Sequence, residues 1–293
     1  MSPVTAIVVA YDSAHVLPAC LDALAREGVP AIVVDNASED GSAEMAEVRG
    51  ARVIRNGRNE GYGRANNVGA AAAESTFILI LNPDLVLDPG AVAELRAAAE
   101  RYPDAGILAP RLVEPDGRFF FQPRSLLAPD PSNRRGEPAL PEGDCCTPFL
   151  SGACLMIRRE LFRRLGGFDP EIFLFYEDDD LCRRVADAGR ALVHVHAAVA
   201  RHVRGGSSAA KPGRVFRSRW HQAWSRAYVS RKYGLPNPAP GMLFLNSLKA
   251  LLALFSLRRS LVERYGGSAA GALAFLLGRT ALGREELTRE DAR

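Results

Sequence analysis

"FILILNPD", residues 77–84, opens with five apolar residues in unbroken succession and ends on Asn82, Pro83 and Asp84. A strand with one face in water alternates apolar and polar side chains, whereas an unbroken apolar run reads as a strand covered on both faces. Toward the N-terminus, "TAIVVAY" (5–11) and "AIVVD" (31–35) have the same character, and "ARVIRN" (51–56) reads as a further strand. Between them Leu17, Cys20, Leu21 and Leu24 recur at helical spacing until Gly28 and Pro30 intervene. The Ala-rich stretches "RANNVGAAAAE" and "GAVAELRAAAERY" are also helical, with Asp88 placed to cap the second. Strand, helix and strand repeated at this spacing give an α/β fold, a Rossmann-like, mostly parallel sheet flanked by helices. Ligands of such sheets bind beyond the carboxyl ends of the strands. Here those ends carry "DNASEDGS", "NGRNEGYGRANN" and "NPD", all rich in Asp, Asn and Gly.

Farther along, residues 112–148 are rich in Pro and charge and read as an irregular excursion. "GACLMIRRELFRRLGGFD" (152–169) is a strand running into a helix that stops at Gly166 and Gly167. "IFLFYEDDDLCRR" (172–184) then sets four carboxylates directly behind apolar and aromatic residues. Leu181, Cys182, Val185 and Ala186 have helical spacing, so Glu177, Asp178, Asp179 and Asp180 occupy a first helical turn, where the helix dipole favours anions. Mutual repulsion and partial burial raise the pKa of such carboxylates, which suits a general base. Asp179 and Asp180 are expected to serve as caps or as partners of Arg183 and Arg184. In the strand "ALVHVH" (191–196), His194 and His196 read as packing or sheet-face residues.

The chain of 293 residues has a net charge of +3, with 47% hydrophobic and 24% charged residues, ordinary for a well-packed protein. The charge is unevenly spread. From Arg201 to Val262 there are twelve Lys and Arg and no Asp or Glu, a block suited to phosphates or anionic lipid. The five cysteines form no C-x-x-C pair, which fits a reducing compartment. No basic segment followed by an apolar run opens the sequence, so no secretory leader is expected. After "PNPAPG" (236–241), "MLFLNSLKALLALFSL" (242–257) is too short to cross a bilayer, and Asn246, Lys249 and Ser256 form a narrow polar stripe. That pattern fits a helix in a membrane interface or one packed on the protein; "AAGALAFLLG" (269–278) is a second apolar stretch of that kind.

"VVDNASEDGS", "NEGYGRANNVG", "LNPD" and "FLFYEDDDLCRR" occur in the order found in inverting glycosyltransferases of family two. The chain resembles most the bacterial rhamnosyltransferase-type branch, over roughly residues 4–233. The resemblance implies a GT-A fold for residues 1–235, followed by a C-terminal helical extension, 236–293. It implies a nucleotide-sugar donor and a divalent cation, Mg²⁺ or Mn²⁺. Asp35, Asn36 and Ser38 then belong to the nucleoside site, and Gly61, Gly63, Arg64, Asn67 and Asn82 also line the donor. Asp84 and His202 would hold the metal, and Arg201, Arg204 and the Gly205–Gly206 turn suit a diphosphate. Asp178 becomes the base that deprotonates the acceptor, with Glu177 holding sugar. Two departures stand out. Tyr11 is followed by Asp12 where Asn is common, and "NPD" offers one acid where a D-x-D form offers two.

These residues imply transfer of a 6-deoxyhexose, with dTDP-L-rhamnose the first choice, to a cell-envelope glycan or polyprenyl-diphosphate-linked acceptor. The same motifs suit UDP-galactofuranose or UDP-hexoses, and a membrane-docked scaffold without turnover is a further alternative. The setting expected is cytoplasmic, peripheral on the membrane face, with no nucleic-acid partner. A dinucleotide-dependent oxidoreductase is disfavoured, since "YDSAHV" stands where G-x-G-x-x-G would follow the first strand.

Overall fold

Covered on both faces, the apolar runs become the centre of a ten-stranded sheet in the computed structural model, which describes residues 3–128, 140–203, 206–208, 212–255 and 258–282. In chain order the elements begin β1 (Val4–Ala10), α1 (Leu17–Arg26), β2 (Ala31–Asp35), α2 (Ser42–Val48), β3 (Arg52–Arg55), α3 (Tyr62–Ala72) and β4 (Phe77–Leu81). There follow β5 (Leu85–Leu87), α4 (Ala91–Arg101), β6 (Ala105–Val113), β7 (Phe119–Phe120), β8 (Cys145–Cys146), β9 (Cys154–Arg158) and α5 (Arg159–Arg164). The chain continues through α6 (Glu177–Asp187), β10 (Ala191–His202), α7 (Arg214–Lys232), α8 (Ala239–Phe255) and α9 (Arg259–Leu276).

Two compact units emerge. The first, Met1–Asn59, Arg64–Phe168 and Asp178–Ala209, contains the whole sheet, in the order β3-β2-β1-β4-β9-β6-β10-β5, with β7 paired to β6 and β8 to β10. β1, β2, β3 and β4 pair in parallel, and so do β6 and β10. β9 runs antiparallel between β4 and β6, which makes the sheet mixed. Because β9 alone is reversed there, β6 and β10 point the same way as β4. The carboxyl ends of β1, β2, β4 and β10 therefore share one edge with the start of β9. β4 lies between β1 and β9, and its Ile78, Leu79 and Ile80 are fully buried.

Asp88 does not cap α4. Its side chain pairs with Arg201, and Glu27 accepts the Gly90 and Val92 N–H groups instead, at 2.8 and 3.1 Å. A carboxylate from the end of α1 thus satisfies donors that α4 leaves unpaired.

The second unit, Glu60–Gly63, Asp169–Glu177 and Ala210–Arg293, is helical. Its core joins Phe173, Trp220, Trp224, Ala227, Ala272 and Phe275. The Phe173 ring stacks on His221 at 4.3 Å, and Trp224 donates its indole N–H to the Arg279 carbonyl. Helix α7 arises within the basic block; its two Trp residues turn inward while Arg226 stays outside.

Ile80→Ala removes fully packed methylenes from β4 and is expected to lower stability by about 2–5 kcal/mol. Val48→Ala, at an 85% exposed position, should stay within about 0.5 kcal/mol. Urea denaturation followed by circular dichroism checks both.

Candidate active site

Asp84 lies three residues past Leu81, the last residue of β4, and Pro83 sets the turn. Its side chain is fully buried and surrounded by donors. The Gly206 N–H reaches Oδ2 at 3.1 Å and the Ser207 hydroxyl reaches Oδ1 at 2.7 Å. His202 Nε2 lies 3.3 Å from Oδ1 and 3.4 Å from Asn82 Nδ2. Asn82, Asp84 and His202 thus form one cluster, with Ser207 added from the "GGSS" string. Among the described residues no group of three or more His, Cys, Asp and Glu could hold a metal by itself. One carboxylate and one imidazole still fit a cation whose remaining ligands are phosphate oxygens and water.

The loops after β1 and β2 interlock beside this cluster. Asp35 and Asn36 are buried. Asp35 Oδ2 accepts the Ser38 N–H at 3.2 Å, while its buried Oδ1 accepts from no described group. A buried acceptor left open in this way fits a ribose or base donor from a ligand. Asn36 joins Asn56 and Asn59 in an amide network, and the Ser38 hydroxyl accepts the Asp12 N–H. Asp12, the departure noted in the sequence, accepts the Glu39 N–H at 3.0 Å. It takes φ of +50°, and Ala37 takes +63°, values that non-glycine residues seldom adopt. Asp40 accepts N–H groups from Ala14 and Ser42, a structural duty. Ser13 donates to the Ser207 carbonyl at 2.6 Å and His15 Nε2 to the Gly206 carbonyl at 2.9 Å. Neither Ser13 nor His15 was singled out by the sequence, yet together they tie the first loop to the segment that grips Asp84.

The four acids of α6 have separate surroundings. Glu177 is buried at the first position. Asp178 is half-buried; its Oδ2 accepts the Gly152 N–H and its Oδ1 the Asp179 N–H, both at 2.9 Å. Desolvation raises its pKa, and those two N–H groups counter only part of the rise. Asp179 accepts from the Ser125 hydroxyl and from the Leu126 and Leu127 N–H groups. Burial first, and the Asp178 charge as well, push its pKa up to about 6 against the lowering effect of the Ser125 bond. Asp180 is fully buried and pairs with Arg184 at 2.7 Å. Arg183 turns to Asp187 and not to Asp179. Just before α6, Phe175 and Tyr176 both take φ of +68°, a strain of about 1–3 kcal/mol each of the kind held at functional sites.

Gly152 connects the helix to the sheet. Asn82 N–H donates to the Ala153 carbonyl at 2.9 Å, so the end of β4 and the start of β9 lie side by side. Gly152, the next residue, holds Asp178. A Cβ on Gly152 would come within 2.9 Å of the Asp178 Cβ. Asp84 and Asp178 therefore stand at one edge of the same sheet.

The remaining candidates have other placements. Asn67 uses both ends of its amide on the Phe168 backbone, at 2.8 Å each, and so braces the turn after α5. Gly63 and Arg64 lie in the first turn of α3. Gly61, with φ of +83°, packs where a Cβ would meet the Phe173 carbonyl at 2.4 Å. Arg201 forms a two-pronged pair with Asp88 at 2.8 and 2.9 Å, and strand alternation turns it to the face opposite His202. Arg204 and Gly205 lie outside the described residues. His194 is buried, stacks on Phe119 and has its pKa pushed down to about 4 by burial, then by His196.

A mixed sheet with its acids gathered at one edge is the architecture of the GT-A glycosyltransferases. The mannosyltransferase PcManGT from Pyrobaculum calidifontis, solved with GDP-Man and Mn²⁺, matches it with a TM-score of 0.57 at 16% identity, over 94% of this chain and 87% of that one. Residues 5–166 match the family described as Glycosyl transferase family 2. The N-acetylglucosaminyl-diphospho-decaprenol L-rhamnosyltransferase of Mycobacterium tuberculosis is 30% identical over 252 residues, covering 71% of this chain and 81% of that protein. The dTDP-rhamnosyl transferase RfbF of Shigella flexneri is 25% identical, covering 66% of each. The chain belongs to glycosyl transferase family 2 and is a rhamnosyltransferase-like member of it.

Gly152→Ala is expected to displace Asp178 and to lower kcat by about 10²-fold while nucleotide affinity holds. Steady-state kinetics beside calorimetry of nucleotide binding checks the split.

Proposed function

We propose that this glycosyltransferase moves L-rhamnose from dTDP-L-rhamnose, with inversion, to a sugar carried on a polyprenyl diphosphate. The RfbF relative supports a dTDP-rhamnose donor, and the mycobacterial one supports L-rhamnose and an N-acetylglucosaminyl-diphospho-decaprenol type of acceptor. The observation that carries the reading is the shared edge, where the end of β4 that leads into Asp84 bonds to Ala153, the neighbour of the Gly152 amide that holds Asp178.

In this reading Asp178 takes the proton of the acceptor hydroxyl. The freed oxygen attacks the anomeric carbon as the carbon–oxygen bond to the diphosphate breaks, and the bonding pair leaves with the nucleoside diphosphate. The raised basicity of Asp178 suits proton removal. Glu177 at the adjacent position orients sugar. Asp35 offers its open Oδ1 to the nucleoside, with Asn36 and Ser38 holding the loop. Asp84 and His202 would hold a Mg²⁺ or Mn²⁺ ion, which when bound offsets charge on the departing diphosphate. Asn82 sets the His202 ring. Gly61, Gly63 and Arg64 flank the donor in the same reading.

The pH dependence has a definite sign. Asp178 must be ionised to act, so kcat/KM should fall as pH drops through a value above that of an ordinary aspartate. A carboxyl with a raised folded-state pKa favours the fold only when protonated, and that contribution is lost as pH rises through the raised value. Asp178→Asn should therefore keep or raise Tm at pH 7 while lowering kcat by about 10²–10⁴-fold. Retained turnover would remove Asp178 as the base.

The donor is tested by calorimetry of the full-length chain with dTDP-, UDP- and GDP-sugars in Mg²⁺ or Mn²⁺. Tightest binding of dTDP-L-rhamnose, lost in Asp84→Ala and on chelation, is expected. Preference for UDP-galactofuranose or a UDP-hexose would overturn the rhamnose assignment.

A further inference from the structure

Helix α8 is built the wrong way out for a helix in water. An exposed helix normally turns its large apolar side chains to the core and its polar ones to solvent. In α8 only Ala239 and Ala253 are buried. On a helix of 3.6 residues per turn, Phe244, Leu245, Leu248, Leu251, Leu252 and Phe255 fill one continuous half, and all six are exposed. Phe244 is 70% and Phe255 83% exposed, far beyond what scattered surface residues explain. Asn246 and Lys249 of the polar stripe turn away from that half, and Ser256 lies outside the described residues. Asn246 donates to the Met242 carbonyl, and the Lys249 ammonium sits over the Tyr265 ring of α9 at 5.7 Å.

The charge around this face selects its occupant. α8 has no acid and one base, Lys249, and its C-terminal end is followed by the exposed Arg258 and Arg259. Arg259 already pairs with Glu263 at 3.2 Å, but among the described residues no carboxylate pairs with Lys249 or Arg258, so a second copy meeting the same face would still bring two basic rims together. Anionic lipid headgroups neutralise them directly. At 17 residues α8 is roughly 25 Å long, and no described helix is long and apolar enough to cross a membrane. We propose that α8 lies in the plane of an anionic bilayer, with the Phe244–Phe255 half in the acyl boundary and Arg258 and Arg259 among the headgroups. The docking does not depend on which sugar is transferred.

Flotation of the full-length chain with phosphatidylcholine vesicles, with and without phosphatidylglycerol, tests it. Binding to the anionic vesicles is expected, weakened by salt and at least about tenfold weaker on phosphatidylcholine alone. Phe244→Ser with Leu248→Ser and Leu252→Ser should cut that binding at least about tenfold while circular dichroism and transfer to a water-soluble acceptor in detergent persist. Phe255→Ser alone, at the most exposed position, should give a smaller loss in the same direction. Arg258→Gln with Arg259→Gln should remove much of the anionic preference. The proposal is overturned if the full-length chain stays unbound, if the triple variant floats as well as the parent, or if sedimentation shows a dimer that the triple variant dissolves. Asp178→Asn should float like the parent, and a parent chain that floats yet transfers no sugar would count against the transferase reading and leave the docking intact.

Discussion

Reversal of a single strand is the constraint on which the candidate active site rests. If β9 ran parallel to its neighbours, its start would lie at the far edge of the sheet, and Gly152 with it. Because β9 is antiparallel between β4 and β6, its first residues meet the last residues of β4. A backbone N–H at that point is rigid and unipolar, so it fixes a carboxylate without competing for a proton. The Asp178 side chain is therefore located by the sheet as much as by its own helix.

The electrostatics of α6 follow from that placement. Four adjacent carboxylates on one helical turn repel one another, and each finds a different environment. Asp180 has the Arg184 guanidinium, Asp179 has the donors of residues 125–127, and Asp178 has two backbone amides with no cation among its named partners. Amides stabilise a carboxylate less than a guanidinium does, so Asp178 keeps a raised proton affinity where Asp180 has a paired charge.

Much of this was legible in the chain. Unbroken apolar runs located β1, β2 and β4, because burial on both faces erases alternation. The polar strings at their ends located Asp35 and Asp84. Strand order was less accessible, since nothing in "CLMIR" distinguishes a reversed strand from a parallel one. Gly152 has no side chain to announce its role. Asn67 and Arg201 have partners that the chain does not announce: an amide or guanidinium in a polar loop suits a ligand or another residue equally well, and these two bond to Phe168 and Asp88, 101 and 113 residues away. Helix α7 was hidden because its basic residues mask the inward spacing of Trp220 and Trp224. The polar stripe of α8 was visible, but only the packing on α9 told which way it faces.

Asp178 and Asp179 share a single peptide unit, and that unit serves two masters. Its N–H is bonded to one acid while the side chain of the other secures Ser125 through Leu127. A shift of residues 125–127 therefore has only one amide plane to cross before it reaches the surroundings of Asp178.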